Sequence, residues 1–374
     1  MSKLQTAPVQ SSAPEVMVVV GTRPEAIKLA PVLRELERRG TLRSMLVSTG
    51  QHRELLTTAL DAWNLRPDHH LDVMLEAQTL NGLLARVLEG VSALLTERRP
   101  SFVVVQGDTT TVLGAALAAY QLRIPVAHVE AGLRTYDHRH PFPEEGNRQL
   151  VDRLSDLCFA PTPLAARHLA DENIDPARVV VTGNTAVDAI LNAHGRSSYR
   201  CPADTLLLTL HRRESFGGEL DEILSGVSDF LDREPSARVL WPVHPNPAVR
   251  ESAQRCFGSA DRLIRVDPLG YLDFAGALAS CRCVLTDSGG IQEEAPSFGK
   301  RVLVAREATE RQEGLAAGTS RLVGRTRSSV LEALVEAWQE PPYEGELPAP
   351  NPFGDGRAAS RIVDALEDAL GQSQ

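Results

Sequence analysis

Two doubly wound α/β domains, each a parallel sheet covered on both faces by helices, are what this sequence predicts. Three observations carry the expectation. Short continuous apolar runs alternate with amphipathic helical segments, which is how strands buried on both faces read. The alternation occurs twice, on either side of a polar stretch between Leu191 and Ala203. The chain of 374 residues also exceeds what one hydrophobic core usually serves.

Taken in order, Met1 to Glu15 is rich in Ser, Pro, Gln and Ala, has no basic start or apolar centre of a signal peptide, and reads as a disordered tail. The first domain, 16–190, has strands expected at Val16–Val20, Ser44–Ser48, Phe102–Val105, Val126–Val129, Leu157–Phe159 and Val179–Val181. Helices are expected at Glu25–Arg39, Arg53–Trp63, Leu80–Glu97 and Thr109–Gln121. Residues 191–203 read as a linker. In 204–352 the same architecture recurs: Thr205–Leu210, helix Leu220–Arg233, Arg238–Trp241, Leu263–Arg265, helix Tyr271–Ala279, Cys283–Leu285, helix Gln292–Phe298 and Arg301–Val304. After a Pro-rich stretch, an amphipathic helix closes the chain within 353–374. No repeat of 20–50 residues is visible, which excludes a solenoid.

Composition narrows the function. A net charge of -10 argues against nucleic acid or an anionic membrane as general partner. No run approaches the roughly 18 apolar residues of a membrane span, so a cytoplasmic protein is expected. The five cysteines are scattered without paired spacing and read as reduced thiols. His69-His70 and His138-Arg139-His140 lack metal-ligand spacing and read as surface loops, so no metal is expected. There is no G-x-G-x-x-G, no P-loop and no G-x-S-x-G, which removes the main support for nicotinamide, P-loop and serine-hydrolase chemistry.

In an open parallel sheet, ligands bind beyond the carboxyl ends of the strands. The unusual polar residues fall there: 21–25, 49–53, 106–109 and 130–134 in the first domain, then 211–214, 244–247 and 287–290 in the second. Two such edges facing one another form a cleft lined with Arg, His and carboxylates, suited to a sugar nucleotide. Thr22-Arg23-Pro24-Glu25 reads as a capping box that leaves Arg23 at a helix start, with Lys28 one turn on. Ser288-Gly289-Gly290 is either an ordinary N-cap or a phosphate cradle at a helix N-terminus, where Glu294 would accept ribose hydroxyls. Asp108 is expected to N-cap the helix after it, a role compatible with acid–base work. Glu130 directly follows an apolar strand, where burial tends to raise a carboxyl pKa. Glu144 and Glu145 stand at the start of another expected helix, where one would complement the helix dipole at the surface, and with Asp108 and Glu130 they make a cluster in which one acid can be held protonated by its neighbours. His211 and His244 end apolar strands at the cleft edge, and Thr309-Glu310-Arg311 supplies an arginine there.

These motifs together resemble the bacterial non-hydrolysing UDP-N-acetylglucosamine 2-epimerases. The resemblance rests on 21–28 (GTRPEAIK), 107–111 (GDTTT), 128–134 (HVEAGLR), 143–145 (PEE), 211–217 (HRRESFG), 286–294 (TDSGGIQEE) and 351–356 (NPFGDG), in order over nearly the whole chain. It implies a GT-B-like fold of two Rossmann-type domains, with the C-terminal helix crossing back onto the first. It also implies conversion of UDP-N-acetylglucosamine to UDP-N-acetylmannosamine by elimination of UDP to 2-acetamidoglucal and re-addition, with no cofactor, in a homodimer. By the same resemblance Asp108, Glu130 and Glu144 are acid–base candidates, assisted by His211 and Arg148. Arg23, Lys28, Arg213, Ser288, Gly289, Gly290 and Arg311 would hold the diphosphate and Glu294 the ribose. Gln51 and His244 match a neighbouring activator site.

The chain departs from the family pattern at Gln106, where His is common, at Gly146, where Ala commonly follows the paired glutamates, and at Gln312, where Pro is usual. Three other readings stay open at this stage. A hydrolysing epimerase would share most residues, a GT-B glycosyltransferase would share the Ser288–Glu294 site, and a sugar-nucleotide sensor would need no acid–base set.

Overall fold

A computed structural model describes residues 13–50, 53–75, 78–210, 218–243, 246–257, 261–340 and 350–371. The first sheet holds β1 (Glu15–Val20), β2 (Arg43–Ser48), β3 (His69–His70), β4 (Phe102–Gln106), β5 (Val126–Val129), β6 (Leu157–Ala160) and β7 (Val179–Val181). Their order is β3-β2-β1-β4-β5-β6-β7, and every pair is parallel. The order reverses at β1 and β4, so the loops after those strands part and leave a crevice. Helices α1 (Arg23–Arg39), α2 (Arg53–Ala62), α3 (Leu80–Arg98), α4 (Thr110–Gln121), α5 (Glu144–Leu154), α6 (Pro163–Asp171) and α7 (Thr185–Arg196) connect the strands.

The second sheet is all parallel too, in the order β10-β9-β8-β11-β12-β13. Its strands are β8 (Thr205–Thr209), β9 (Arg238–Pro242), β10 (Leu263–Val266), β11 (Cys283–Thr286), β12 (Arg301–Val304) and β13 (Ser320–Leu322). Helices α8 (Gly218–Arg233), α9 (Pro247–Phe257), α10 (Tyr271–Ser280), α11 (Gly289–Glu294), α12 (Gln312–Ala316) and α13 (Arg327–Gln339) follow, and α14 (Ala358–Gly371) ends the fold. The expected pair of doubly wound parallel-sheet domains is therefore present.

Three local expectations are corrected. Glu15 belongs to β1 rather than to the tail: it is buried, and Arg43 and Arg98 pair with its carboxylate at 2.8 and 2.9 Å. Residues 191–196 of the expected linker are the last turns of α7. His69-His70 is no loop but the short edge strand β3, bound to β2.

Helix α14 buries Ala359, Ile362, Val363 and Leu366 against Leu29, Leu33 and Leu36 of α1, each large side chain stabilising by roughly 1.5–3 kcal/mol. Asp188 of α7 accepts from the backbone of Ala358 and Ala359 and so caps α14, while Arg39 pairs with Asp364 and Glu367 at its outer face. Ala30, Ala189 and Ile190 share one apolar cluster with Leu207, Tyr271 and Ile291, so α1 and α7 join the first sheet to the second. Among the described residues no helix is long and apolar enough to cross a membrane.

Candidate active site

The capping box at α1 forms as expected, and it uses more of the helix start than the sequence suggests. Glu25 accepts from Gly21 N at 2.6 Å, Thr22 N at 3.3 Å, the Thr22 hydroxyl at 2.8 Å and the Thr109 hydroxyl at 2.9 Å. Burial pushes this carboxyl up to about 7 despite those four donors. The backbone N–H groups of Gly21 and Thr22 are thus already satisfied by Glu25. Arg23 stays half-buried beside them and acts electrostatically on Glu294 of the other domain.

Asp108 does not N-cap α4. Thr109 takes that role, accepting from Val112 N; Asp and Thr are both good caps, and the backbone turns one residue later than expected. Freed from capping, the Asp108 carboxylate pairs with Arg148 of α5 at 2.5 Å, and Asn147 donates to its backbone carbonyl. Glu130 sits after β5 in a left-handed conformation, φ 71°. Burial was the expected influence on it, and the side chain is 8% exposed. Two donors reach it as well, Lys28 Nζ at 2.5 Å and Gln106 Nε2 at 2.6 Å, both on Oε2. Lys28 also reaches Glu293 of α11 at 3.2 Å. Burial works against the Lys28 charge, but Glu130 and Glu293 outweigh it and hold the amine well above its ordinary value.

Of the paired glutamates, Glu145 is the structural one. It is fully buried and accepts from Thr135 N, Tyr136 N and Gln149 Nε2. Burial raises its pKa, yet those hydrogen bonds and Arg148 prevail and hold it below the usual carboxylate range. Glu144 is half-buried at the α5 start, and its side chain has no hydrogen-bond partner among the described residues. Beneath the turns that carry Asp108 and Glu130, His128 Nδ1 lies 2.6 Å from Asp152 and Nε2 lies 2.7 Å from the Gly107 carbonyl. Asp152 also accepts from Gly132 N and pairs with Arg134. This fully buried set ties the Asp108 turn to the Glu130 turn.

Across the cleft, Ser288 precedes α11, and Ser288, Gly289 and Gly290 are half-exposed. A Cβ on Gly289 would lie 3.0 Å from the guanidinium carbon of Arg311, so the missing side chain is what lets Arg311 rest on the turn. Arg311 pairs with Glu293 at 2.8 Å and with Glu310 at 2.5 Å. Burial opposes its charge, and Glu293, Glu310 and Glu130 more than offset that. Glu294 accepts from the Tyr271 hydroxyl at 3.0 Å, and burial, helped by adjacent Glu293, pushes it up to about 8. Gln312 Nε2 donates to the Thr309 carbonyl at 2.5 Å, and Thr309 donates to Gln292.

The fold thus brings Arg23, Lys28, Asp108, Glu130, Glu144 and Arg148 to one sheet edge and Ser288, Gly289, Gly290, Glu294 and Arg311 to the other. Gln51, His211, Arg213 and His244 lie outside the described residues. Sequence reasoning put Gln106 at the cleft edge without a role, and it missed the parts played by Glu293, Tyr271 and the His128–Asp152 pair. Position at a strand end was a usable signal for Gln106; nothing local marks Glu293 as buried.

The profile of the family described as UDP-N-acetylglucosamine 2-epimerase matches residues 34–367. The chain is 43% identical to UDP-N-acetylglucosamine 2-epimerase of Bacillus subtilis, over 94% of each protein. It is 42% identical to the Escherichia coli K12 protein of the same name, over 95% of this chain and 98% of that one. The crystal structure of UDP-GlcNAc 2-epimerase from Neisseria meningitidis bound to UDP-GlcNAc superposes with a TM-score of 0.84 at 36% identity, covering 95% of this chain and all of that one. A calicheamicin glycosyltransferase, at 16% identity and a TM-score of 0.61, shares the GT-B-like fold alone. With the profile spanning most of its length and relatives above 40% identity end to end, this chain belongs to the UDP-N-acetylglucosamine 2-epimerase family.

Proposed function

We propose that this protein interconverts UDP-N-acetylglucosamine and UDP-N-acetylmannosamine without hydrolysis. The observation that carries the reading is the placement of Lys28. It is ion-paired to Glu130 on the first sheet's edge and to Glu293, which holds Arg311, on the second. A carboxylate able to move a proton is thereby held next to cations able to hold a diphosphate.

The reaction removes the C2 proton, breaks the C1–O bond to UDP and leaves a C1=C2 double bond in 2-acetamidoglucal. A proton then returns to the opposite face of C2 and UDP re-adds at C1. One carboxylate must accept and another acid must donate. Asp108, Glu130 and Glu144 supply three, with Arg148 fixing Asp108, and His211 is assigned an assisting role by its motif. Arg23, Lys28, Arg213 and Arg311 stabilise the charge that grows on the departing diphosphate, with Ser288, Gly289 and Gly290 lining its seat. Glu294 is oriented by Tyr271 to receive the ribose hydroxyls. We take the enzyme to be a cytoplasmic homodimer; five free thiols suit a reducing compartment.

Proton NMR of the purified protein with UDP-N-acetylglucosamine in D2O is the test. Deuterium at C2 together with a nucleotide-linked manno product is expected. Release of free N-acetylmannosamine and UDP would instead mean hydrolysis, and no exchange at C2 would remove the epimerase reading.

A further inference from the structure

We propose that Gln106 is a positioning residue that decides which oxygen of Glu130 meets the substrate. The inference rests on the epimerase reading above, with Glu130 as one of its proton-transfer groups. Gln106 is the last residue of β4, held in the sheet opposite Val129 of β5, and only 4% exposed. Its backbone is fixed against β5, which sets the face of the sheet from which its side chain leaves. The amide donates to Glu130 Oε2 at 2.6 Å; the alternative amide orientation would set two acceptors against each other. Lys28 Nζ approaches the same Oε2 at 2.5 Å. Oε1 accepts from no described residue. One oxygen of the carboxylate is therefore anchored twice, and the other keeps its lone pairs for a proton.

Two donors on one oxygen do more than one would. Lys28 alone sits on a side chain with four rotatable bonds and is shared with Glu293, so it fixes charge but not direction. The planar amide of Gln106 contributes direction. It also has no proton to lose, so the anchor holds at every pH at which the protein is folded, unlike the imidazole common at this position in the family. Among the described residues, the charged groups facing Glu130 are Lys28 of α1 and, from the second domain, Arg311 with Glu293 beyond it. Lys28 and Arg311 are both held cationic by the carboxylates around them.

Two variants test this, read by C2 deuterium exchange and by steady-state kinetics, with UDP binding by calorimetry as the check that the cleft has formed. Gln106→Leu keeps the volume and removes the donor. It is expected to lower kcat about tenfold to hundredfold while KM stays within about twofold. Gln106→Glu keeps the shape and makes the anchor titratable. When protonated the introduced carboxyl donates to Oε2 as the amide does, and when ionised it repels Glu130. The ratio of its kcat to that of the wild type should therefore fall as pH rises from about 5 to 8. A merely structural role would move stability and leave that ratio flat. If Gln106→Leu no longer binds UDP, the pH slope of Gln106→Glu decides alone. Wild-type kcat in Gln106→Leu, or a flat ratio in Gln106→Glu, overturns the inference and leaves the epimerase reading standing, whereas absence of C2 exchange in the wild type removes both.

Discussion

Lys28 and Glu293 face each other across the cleft, one on α1 and the other on α11, with Nζ and Oε2 3.2 Å apart. Side-chain exposures of 13% and 1% make this a shielded pair, and Glu130 at 2.5 Å makes it a triad. Removing one member of a buried ion pair leaves the others uncompensated, which costs about 3–5 kcal/mol. Lys28→Met is therefore expected to destabilise the fold by about 3 kcal/mol, because Arg311 still neutralises Glu293. Chemical denaturation of both proteins checks this, and an unchanged midpoint would mean that the pair is dispensable.

Asp152 spends both oxygens on buried partners, His128 on one and Arg134 with Gly132 N on the other. Burial raises its pKa, but His128 and Arg134 prevail and the folded value lies below the ordinary 3.8. A depressed folded pKa means stability that is present above the unfolded pKa and lost as pH falls through the folded one. Asp152→Asn should cost about 3–5 kcal/mol at neutral pH and flatten the drop in melting temperature below about pH 4. Melting curves from pH 7 to pH 3 give the answer; parallel curves for the two proteins would contradict it.

Glu25 has the opposite sign. Its folded pKa of about 7 exceeds the ordinary 4.5, so the folded state binds the extra proton and stability declines as pH rises between those values. The decline is on the order of 3 kcal/mol. Glu25→Gln keeps an oxygen for Gly21 N and an amide for the two threonine hydroxyls, which can accept as well as donate. The variant should match the wild type near pH 5 and exceed it at pH 8. Equal stability at both pH values would show that Glu25 is not the titrating group.

How far the sequence alone leads can be judged from particular residues. β1, β4, β8 and β11 were legible because strands buried on both faces are unbroken apolar runs. The α1 start was legible because a capping box is local chemistry. Asp108 was misplaced because Asp108 and Thr109 are both capable caps, and only the tertiary pull of Arg148 on the carboxylate separates them. Residues 191–196 were taken for linker because their polar side chains mask the continuing α7. Glu293 and Glu294 are adjacent and alike in sequence; which one meets Arg311 and which meets Tyr271 depends on how α10, α11 and the loop before α12 pack together within the second domain.

The Glu294 carboxyl, pushed up to about 8 and already holding Tyr271, gives the proposed ribose contact a pH signature. Ionisation adds acceptor capacity for the two ribose hydroxyls. UDP affinity is expected to rise between pH 7 and pH 9, and Glu294→Gln should weaken binding about tenfold while removing that rise. Calorimetric titration across this range measures both. Affinity that falls with pH, or a rise that survives in Glu294→Gln, would take the ribose role away from Glu294.

Gly146, third residue of α5, stands where the resemblance expects alanine. A Cβ there would meet nothing within 4 Å, and its backbone is helical. Glycine in a helix interior costs roughly 0.5–1 kcal/mol against alanine, through the freedom it has in the unfolded chain. Gly146→Ala is thus expected to raise stability by about that amount, with the denaturation midpoint shifted and the slope unchanged. α5 carries Glu144 and Glu145 just before Gly146 and Arg148 just after it. A stiffer α5 start would narrow the range of positions open to Glu144, the one acid–base candidate that no described side chain holds. A loss of stability in Gly146→Ala would mean that the open space beside Gly146 is filled in solution, by a group the added methyl displaces.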